Sequence, residues 1–275
     1  MSLKSVLILW SLVILAEVHG QSFYVMSFNI RYDNPSDGPD RWDARKAELA
    51  DLLFRMHPEV IGLQEAMHHQ LAYLDSALTD YTYLGVGRED GKTGGEYAAI
   101  LYDSTQLAVE TQRTFWLSEQ PDQVSIGWDA ALERICTVGR FRHQASGRSF
   151  IVFNTHFDHV GRQARSESAR VIAREIDASD LPVILLGDLN ATPEEEPMRV
   201  LKGTLQDAYD ISEGERIGPD GTWNGFALQS PIERRIDYVM VRDFQVLSHV
   251  HVEMRRANNR HFSDHLPVIC QLSFR

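Results

Sequence analysis

A chain of 275 residues, 43% hydrophobic and 24% charged, is ordinary globular material, long enough for one large core. Its formal net charge of -12 excludes a broadly basic surface of the kind that coats nucleic acid or anionic membrane, while leaving room for a locally basic cleft. With no internal repeat, linker or low-complexity stretch, the expectation is a single domain.

The first residues, MSLKSVLILWSLVILAEVHGQ, combine a basic start at Lys4, an uncharged apolar run from Ser5 to Ala16, and small or polar residues around Gly20. This is the pattern of a secretory signal peptide over residues 1–20. The run is shorter than the roughly 20 residues needed to span a bilayer, and no later stretch is longer. The expected mature chain, 21–275, is secreted or periplasmic, monomeric and without stable membrane insertion. Cys136 and Cys270 both lie in apolar runs and are expected as free core thiols.

Phe23 to Phe28 alternates as a strand that delivers Asn29 at its end, and the turn residues DNPSDGPD follow. Trp42, Leu49, Leu52, Leu53 and Met56 recur at helical spacing up to the break at Pro58. Val60 to Leu63 is a short strand leading to Glu65, and Met67, Leu71, Leu74 and Leu78 mark a second helix. Short strands fill Tyr81 to Phe115 around the loop GREDGKTGGEY, which has neither the spacing of a phosphate-cradling loop nor a following helix. Ile135 to Phe141 and Ser149 to Asn154 form a hairpin, Arg162 to Ile176 a helix, and the run after Pro182 a buried strand ending at Gly187-Asp188. Thr192, Pro193 and Glu195 predict a helix capped at Thr192. Strands near Ile236–Val241, Leu247–Met254 and Pro267–Phe274 complete the chain. Several neighbouring strands are joined by turns too short for parallel crossovers, so a mixed-sheet α/β sandwich is expected over a doubly wound parallel sheet.

Polar residues just past the ends of buried strands point to a common rim where ligands bind in α/β proteins. Glu65 at such an end suits a hard cation such as Mg²⁺, with the Asn29 amide oxygen beside it. Asp188, behind Leu185, Leu186 and Gly187, makes sense only if its charge is paired or used; it is the candidate general base, with Asn190 positioning water or a phosphoryl oxygen. Asp237 in RRIDY can orient His265 in SDH, and Glu96 can orient His156, and a carboxylate-held histidine stabilises an oxyanion or donates a proton.

These clusters, in this order, resemble the endonuclease/exonuclease/phosphatase superfamily, as a secreted bacterial-type member near the deoxyribonuclease, sphingomyelinase and carbon-catabolite-repressor-type deadenylase branches. The likeness runs from SFNIR at residue 27 to SDHLPV ending at residue 268, and GDLN with SDH carries most of its specificity. It implies a four-layer α-β-β-α sandwich of two mixed, largely antiparallel sheets packed face to face, and phosphoester hydrolysis assisted by Mg²⁺ or Mn²⁺. Carried over motif by motif, Asn29, Glu65 and Asp264 are metal-site residues, and Asp188 with Asn190 is the water-activating pair. Asp237 orients the phosphate-binding His265. His156 with Glu96 matches the histidine and its partner in the deoxyribonuclease and sphingomyelinase branches, and Asn154 and Arg134 are phosphate contacts. Where some abasic-site endonucleases carry an aspartate two residues after the first asparagine, this chain has Arg31.

The expected activity is that of a phosphodiesterase acting on a phosphorylated small molecule, a phospholipid headgroup or nucleic acid. A 3'-to-5' exonuclease is the alternative, opposed by the acidic charge and the lack of an aromatic-studded basic channel. A secreted glycosidase would use paired carboxylates but leaves the histidines and asparagines without a role.

Overall fold

A computed structural model of the protein describes residues 22–275; the signal peptide read over residues 1–20 lies outside the described residues. In chain order, β1 (Ser22–Asn29) passes through a 3-10 turn at Pro35–Asp40 into α1 (Trp42–Met56), β2 (Val60–Met67) and α2 (His68–Ala77). Five strands follow: β3 (Tyr81–Leu84), β4 (Glu96–Asp103), β5 (Leu107–Trp116), β6 (Ile135–His143) and β7 (Ser149–His156). Then come α3 (Arg162–Asp177), β8 (Val183–Asp188), α4 (Glu196–Leu201), β9 (Gln206–Asp207) and α5 (Ala208–Ile211). The last strands are β10 (Arg216–Ile217), β11 (Asp237–Arg242), β12 (Phe244–His251) and β13 (Val268–Phe274).

The strands make two mixed sheets, ordered β10-β12-β13-β1-β2-β4-β3 and β5-β6-β7-β8-β11-β9. The pairs β1/β2 and β7/β8 are parallel and are joined through α1 and α3, as a parallel connection requires a crossover. Apart from the short β10/β12 contact, the other described pairings are antiparallel. Trp42, Leu49 and Leu53 of α1 pack on Met26, Phe28 and Leu63 outside one sheet, while Ile172 and Ile176 of α3 pack on Phe153 and Leu185 outside the other. Between the sheets lie Phe23, Val25, Ile100, Phe150, Ile184, Leu186, Val239 and Phe274. The architecture is the expected helix, sheet, sheet, helix sandwich. Cys136 and Cys270 are buried and free, in different apolar layers.

Two local expectations change. The helix predicted from Thr192 starts at Glu196, because Pro197 would fall in its interior, where it lacks the N–H that the helix ladder needs. Residues 192–195 form a tight turn instead, with the Glu195 carboxylate accepting from Thr192 N at 2.7 Å. Strand β2 runs past Glu65, whose positive φ of 60° breaks the pairing with β4 between Leu63 and Ala66.

At Gly62 on β2 the facing sheet comes close. A Cβ there would lie 2.6 Å from Asn154 Oδ1 and 2.7 Å from Leu186 Cβ. Gly62→Ala is therefore expected to destabilise the fold by about 1–3 kcal/mol, read as a lower urea midpoint with circular dichroism, since overpacking of a filled interior costs that much. An unchanged midpoint would refute the close approach.

On β12, His251 stacks on Tyr209 of α5 and His249 meets both rings edge-on, with ring centroids 5.0–5.7 Å apart. Burial pushes His249 from 6.5 down to about 3 and also lowers His251. Both are neutral when folded, whereas an unfolded histidine binds a proton below about 6.5. Stability is full above that pH; for His249 it falls as the pH drops from there toward 3, by up to about 1.4 kcal/mol per pH unit, and His251 adds a loss in the same direction. Urea titrations at pH 7.5 and about two units lower should show this loss, and His249→Asn should reduce it.

Candidate active site

Side chains alternate along a strand, so the inner row that starts with Phe23 and Val25 on β1 continues to Ser27 and Asn29. The same row on β2 ends in Gln64, on β4 in Glu96, on β7 in Asn154 and His156, on β8 in Asp188 and on β11 in Asp237. Register brings these ends together: Asn29 pairs with Gln64, and Asp188 lies between His156 and Asp237. A cavity of about 430 Å³ opens there. Glu65, Glu96, Arg134, His156, Asp188 and Asn190 line it together with Asp264 and His265.

Asp188 is the hub. Its Oδ2 accepts from Asn29 Nδ2 at 3.0 Å and lies 3.5 Å from His156 Nε2 and 3.7 Å from His265 Nε2, while its Oδ1 accepts from Asn190 N at 3.0 Å. Asn29 Nδ2 also donates to Glu65 Oε1 at 3.0 Å, so one amide ties the two carboxylates together. Burial, reinforced by the charge of Asp237 and only partly offset by His265 and Asn29, pushes the Asp188 carboxyl up to about 7. A carboxylate in that range accepts a proton near neutral pH.

The two histidines beside Asp188 carry opposite charge. His265 Nδ1 donates to Asp237 Oδ2 at 2.9 Å, and that oxygen also accepts from Thr222 Oγ1 at 2.6 Å. Burial alone would strip the proton from His265, but Asp237 and Asp188 outweigh it and hold the ring well above the ordinary histidine range. His156 is driven well below that range by burial, then by Arg134 and Arg88, and is neutral. Asn190 Nδ2 donates to Phe157 O at 3.0 Å, which fixes the amide, and it therefore also donates to His156 Nε2 at 3.1 Å. The remaining His156 proton sits on Nδ1, 3.9 Å from Glu96 Oε2. Environments that push neighbouring groups apart in this way separate a proton donor from an acceptor.

Glu96, expected to pair with His156, is instead held by both Arg88 Nη atoms at 2.9 Å. Arg88 lies at the start of the GREDGKTGGEY loop, eight residues before Glu96, and only the fold of that loop brings the two together. Arg134 Nε donates to Asp158 Oδ2 at 3.2 Å and Nη2 to His159 Nδ1 at 2.9 Å, while its Nη1 is buried with no partner. Asn154 does not reach the cavity. One pleat deeper than His156, it donates to Leu63 O at 2.9 Å and Ala99 O at 2.7 Å and accepts from Gln64 Nε2 at 2.7 Å, bridging the two sheets. Arg45 and Thr222 were also invisible as contributors: an arginine inside ARKAE reads as a solvated helix charge. In the structure, Arg45 is buried and donates to the carbonyls of Ile30, Arg31, Asp40 and Phe262, fixing the loops that follow Asn29 and precede Asp264.

Glu65 and Asp264 form a carboxylate pair, and burial raises Asp264 and Glu96 toward their neutral forms; Asn29, expected to offer its amide oxygen, instead turns Nδ2 to Glu65, and its Oδ1 accepts from Arg31 N at 3.0 Å. Buried carboxylates of this kind fit a hard divalent cation, which would hold them ionised. Asp188, Asp237 and His265 also present atoms within 4.8 Å of one another, although His265 and Asp237 are already joined by their hydrogen bond. Arg31 stands among the carboxylates, with Nη1 3.8 Å from Glu65 and 3.7 Å from Asp264, anchored by two bonds to Asp37 of 3.0 and 3.1 Å.

Residues 26–265 match the Endonuclease/Exonuclease/phosphatase family. The chain belongs to this family. Among solved structures it is similar to an endonuclease/exonuclease/phosphatase family protein of Bacteroides thetaiotaomicron, 37% identical, TM-score 0.89, covering 93% of this chain and 99% of that one. It is also similar to a mannosyl-6-phosphatase of the same organism, 37% identical, TM-score 0.88, covering 92% and 100%. Nocturnin of Drosophila melanogaster is 28% identical over 169 residues, 56% of this chain and 25% of that protein. The matches span between 25% and 59% of the curated relatives' lengths. Members of the family are hydrolases acting on phosphoester bonds and generally depend on a divalent metal.

Because His265 acts here as a cation, its contribution is lost as pH rises through its folded pKa. Asp237→Asn removes the charge that holds the proton, so the alkaline limb of the pH–rate profile should move to lower pH, with kcat reduced on the order of 10²-fold. An unmoved limb would detach His265 from the chemistry.

Proposed function

We propose that the protein is a hydrolase of phosphate monoesters on small polar molecules, assisted by Mg²⁺ or Mn²⁺. The observation that carries this is the cavity wall, where His265, held as a cation by Asp237 and Asp188, stands with Arg134 and with Asp188, whose carboxyl burial pushes up to about 7, around one confined space. At about 430 Å³ that space is near the lower end of ligand pockets, which run roughly 300–1,000 Å³. Its size, the net charge of -12 and the similarity to a mannosyl-6-phosphatase favour a small monoester over a polynucleotide or a diester with two bulky arms.

In this reading, His265 and Arg134 hold phosphoryl oxygens by charge-assisted hydrogen bonds. Asp188 takes the proton from the attacking water, which Asn190 orients. Neutral His156 accepts the Asn190 amide and keeps it in place without adding charge near the nucleophile. Glu65 and Asp264 would hold a divalent cation whose Lewis acidity masks phosphate charge when bound, with Asn29 Nδ2 holding Glu65 in place. The signal-like residues 1–20 support a secreted or periplasmic setting.

A hydrolysis panel tests the reading: sugar phosphates, glycerol phosphate, nucleoside monophosphates, bis-p-nitrophenyl phosphate and oligonucleotides, each with Mg²⁺, with Mn²⁺ and with chelator. Monoester turnover that chelator abolishes, and that Asp188→Asn lowers by about 10²–10⁴-fold, is the expected result. Cleavage confined to diesters or oligonucleotides, or turnover that survives chelator, would overturn it.

A further inference from the structure

We infer that Trp223 and Arg234 form a sugar-recognition wall, on which the apolar face of a pyranose ring stacks while the ring's phosphate lies against His265. This rests on the monoesterase reading above and names its substrate class.

Trp223 forms an antiparallel bridge with His265, and both line the cavity. Bridged strands lie about 5 Å apart, so the indole begins one strand spacing from the group that receives the phosphate. It is nevertheless 42% exposed. A large aromatic left this open beside a charged cavity forgoes part of the free energy of burial.

Its backbone is held from both sides. Thr222 N and Trp223 N donate to Arg234 O at 2.9 and 3.1 Å, and Leu266 N donates to Thr222 O at 2.7 Å. Asn224 N and Gly225 N both donate to Asp264 O, at 2.8 and 3.0 Å. Gly225, at φ 56°, lies under the ring, where a Cβ would come within 2.9 Å of indole Cζ2. Arg234 places its guanidinium carbon 5.9 Å from the indole centroid and also lines the cavity. The result is a fixed aromatic plate with a five-donor fork over it.

That combination matches a pyranose. One face of the ring presents C–H groups with slight positive charge, which suit the electron-rich indole face, and its rim carries hydroxyls in adjacent pairs that a planar fork can serve. A phosphate on the exocyclic carbon stands one methylene off the ring, which lets ring and phosphate occupy plate and floor together. An acyclic polyol phosphate offers the same phosphate and hydroxyls without the flat C–H face.

The test compares kcat/KM for a hexopyranose 6-phosphate, glycerol phosphate and a nucleoside monophosphate in the wild type, Trp223→Ala, Trp223→Phe and Gly225→Ala. Trp223→Ala should lower the ratio of hexose phosphate to glycerol phosphate activity about tenfold, mainly through KM, and Trp223→Phe should restore most of it. Gly225→Ala, which pushes the indole out of place, should lower the same ratio. Equal losses on both substrates would make Trp223 a structural residue and overturn the inference alone, as would a loss confined to the nucleotide, the mark of a base-stacking wall. A wild-type protein that cleaves no phosphomonoester would sink both this inference and the reading beneath it.

Discussion

The period of two along a β-strand is the constraint on which this molecule depends. Once Phe23, Ile184 and Val239 are committed to the space between the sheets, every second residue after them faces the same way. Asn29, Asp188 and Asp237 thus arrive at a shared rim by arithmetic. The register between β8, β7 and β11 then sets Asp188 beside His156 and Asp237. A slip of one residue in any of these strands would turn its polar end outward into a helix-packing layer. The same rule makes the core and the site two ends of one side-chain layer, apolar at the phenylalanine cluster and ionisable at the cavity.

Electrostatics refines what periodicity assembles. Asp188 and Asp237 are buried neighbours, and burial together with the charge of Asp237 favours the protonated form of Asp188. His265 lies between them and is stabilised as a cation by both. Across Asp188, His156 faces Arg134 and Arg88 and is held neutral. The asymmetry comes from second neighbours, an acid behind one ring and arginines behind the other. Arg45 acts more mechanically: a single guanidinium on four carbonyls makes two site loops answer to one helix.

Much of this was legible in the chain because the strands end where their apolar runs end. Asn29, Glu65 and Asp188 each follow such a run, His265 stands just before one, and the helix at 42–56 carried clear periodicity. Depth along a strand was not legible. Asn154 and His156 share a face by parity, yet only the position of the opposite sheet decides that one is walled in and the other meets the cavity. Partner choice was equally hidden: Glu96 is gripped by Arg88 across a glycine-rich loop whose shape no spacing rule encodes. At α4 a plausible cap at Thr192 lost to Pro197, a conflict between a start signal and a helix breaker five residues further on. The two-residue strands β9 and β10 are too short to carry a pattern at all.

The bridge of Gln64 and Asn154 has a consequence for how such a molecule can diversify. Together these amides reach Gly62, Leu63 and Ala99 through their carbonyls, and one another. They form a neutral, hydrogen-bonded floor between the dry phenylalanine interior below and the charged chamber above. Insulated in this way, the chamber can exchange ions and ligands without exposing the interior to water. The loops around it can also be rewritten residue by residue, as at Leu132 or Trp223, without unsettling the packing that holds the sheets together.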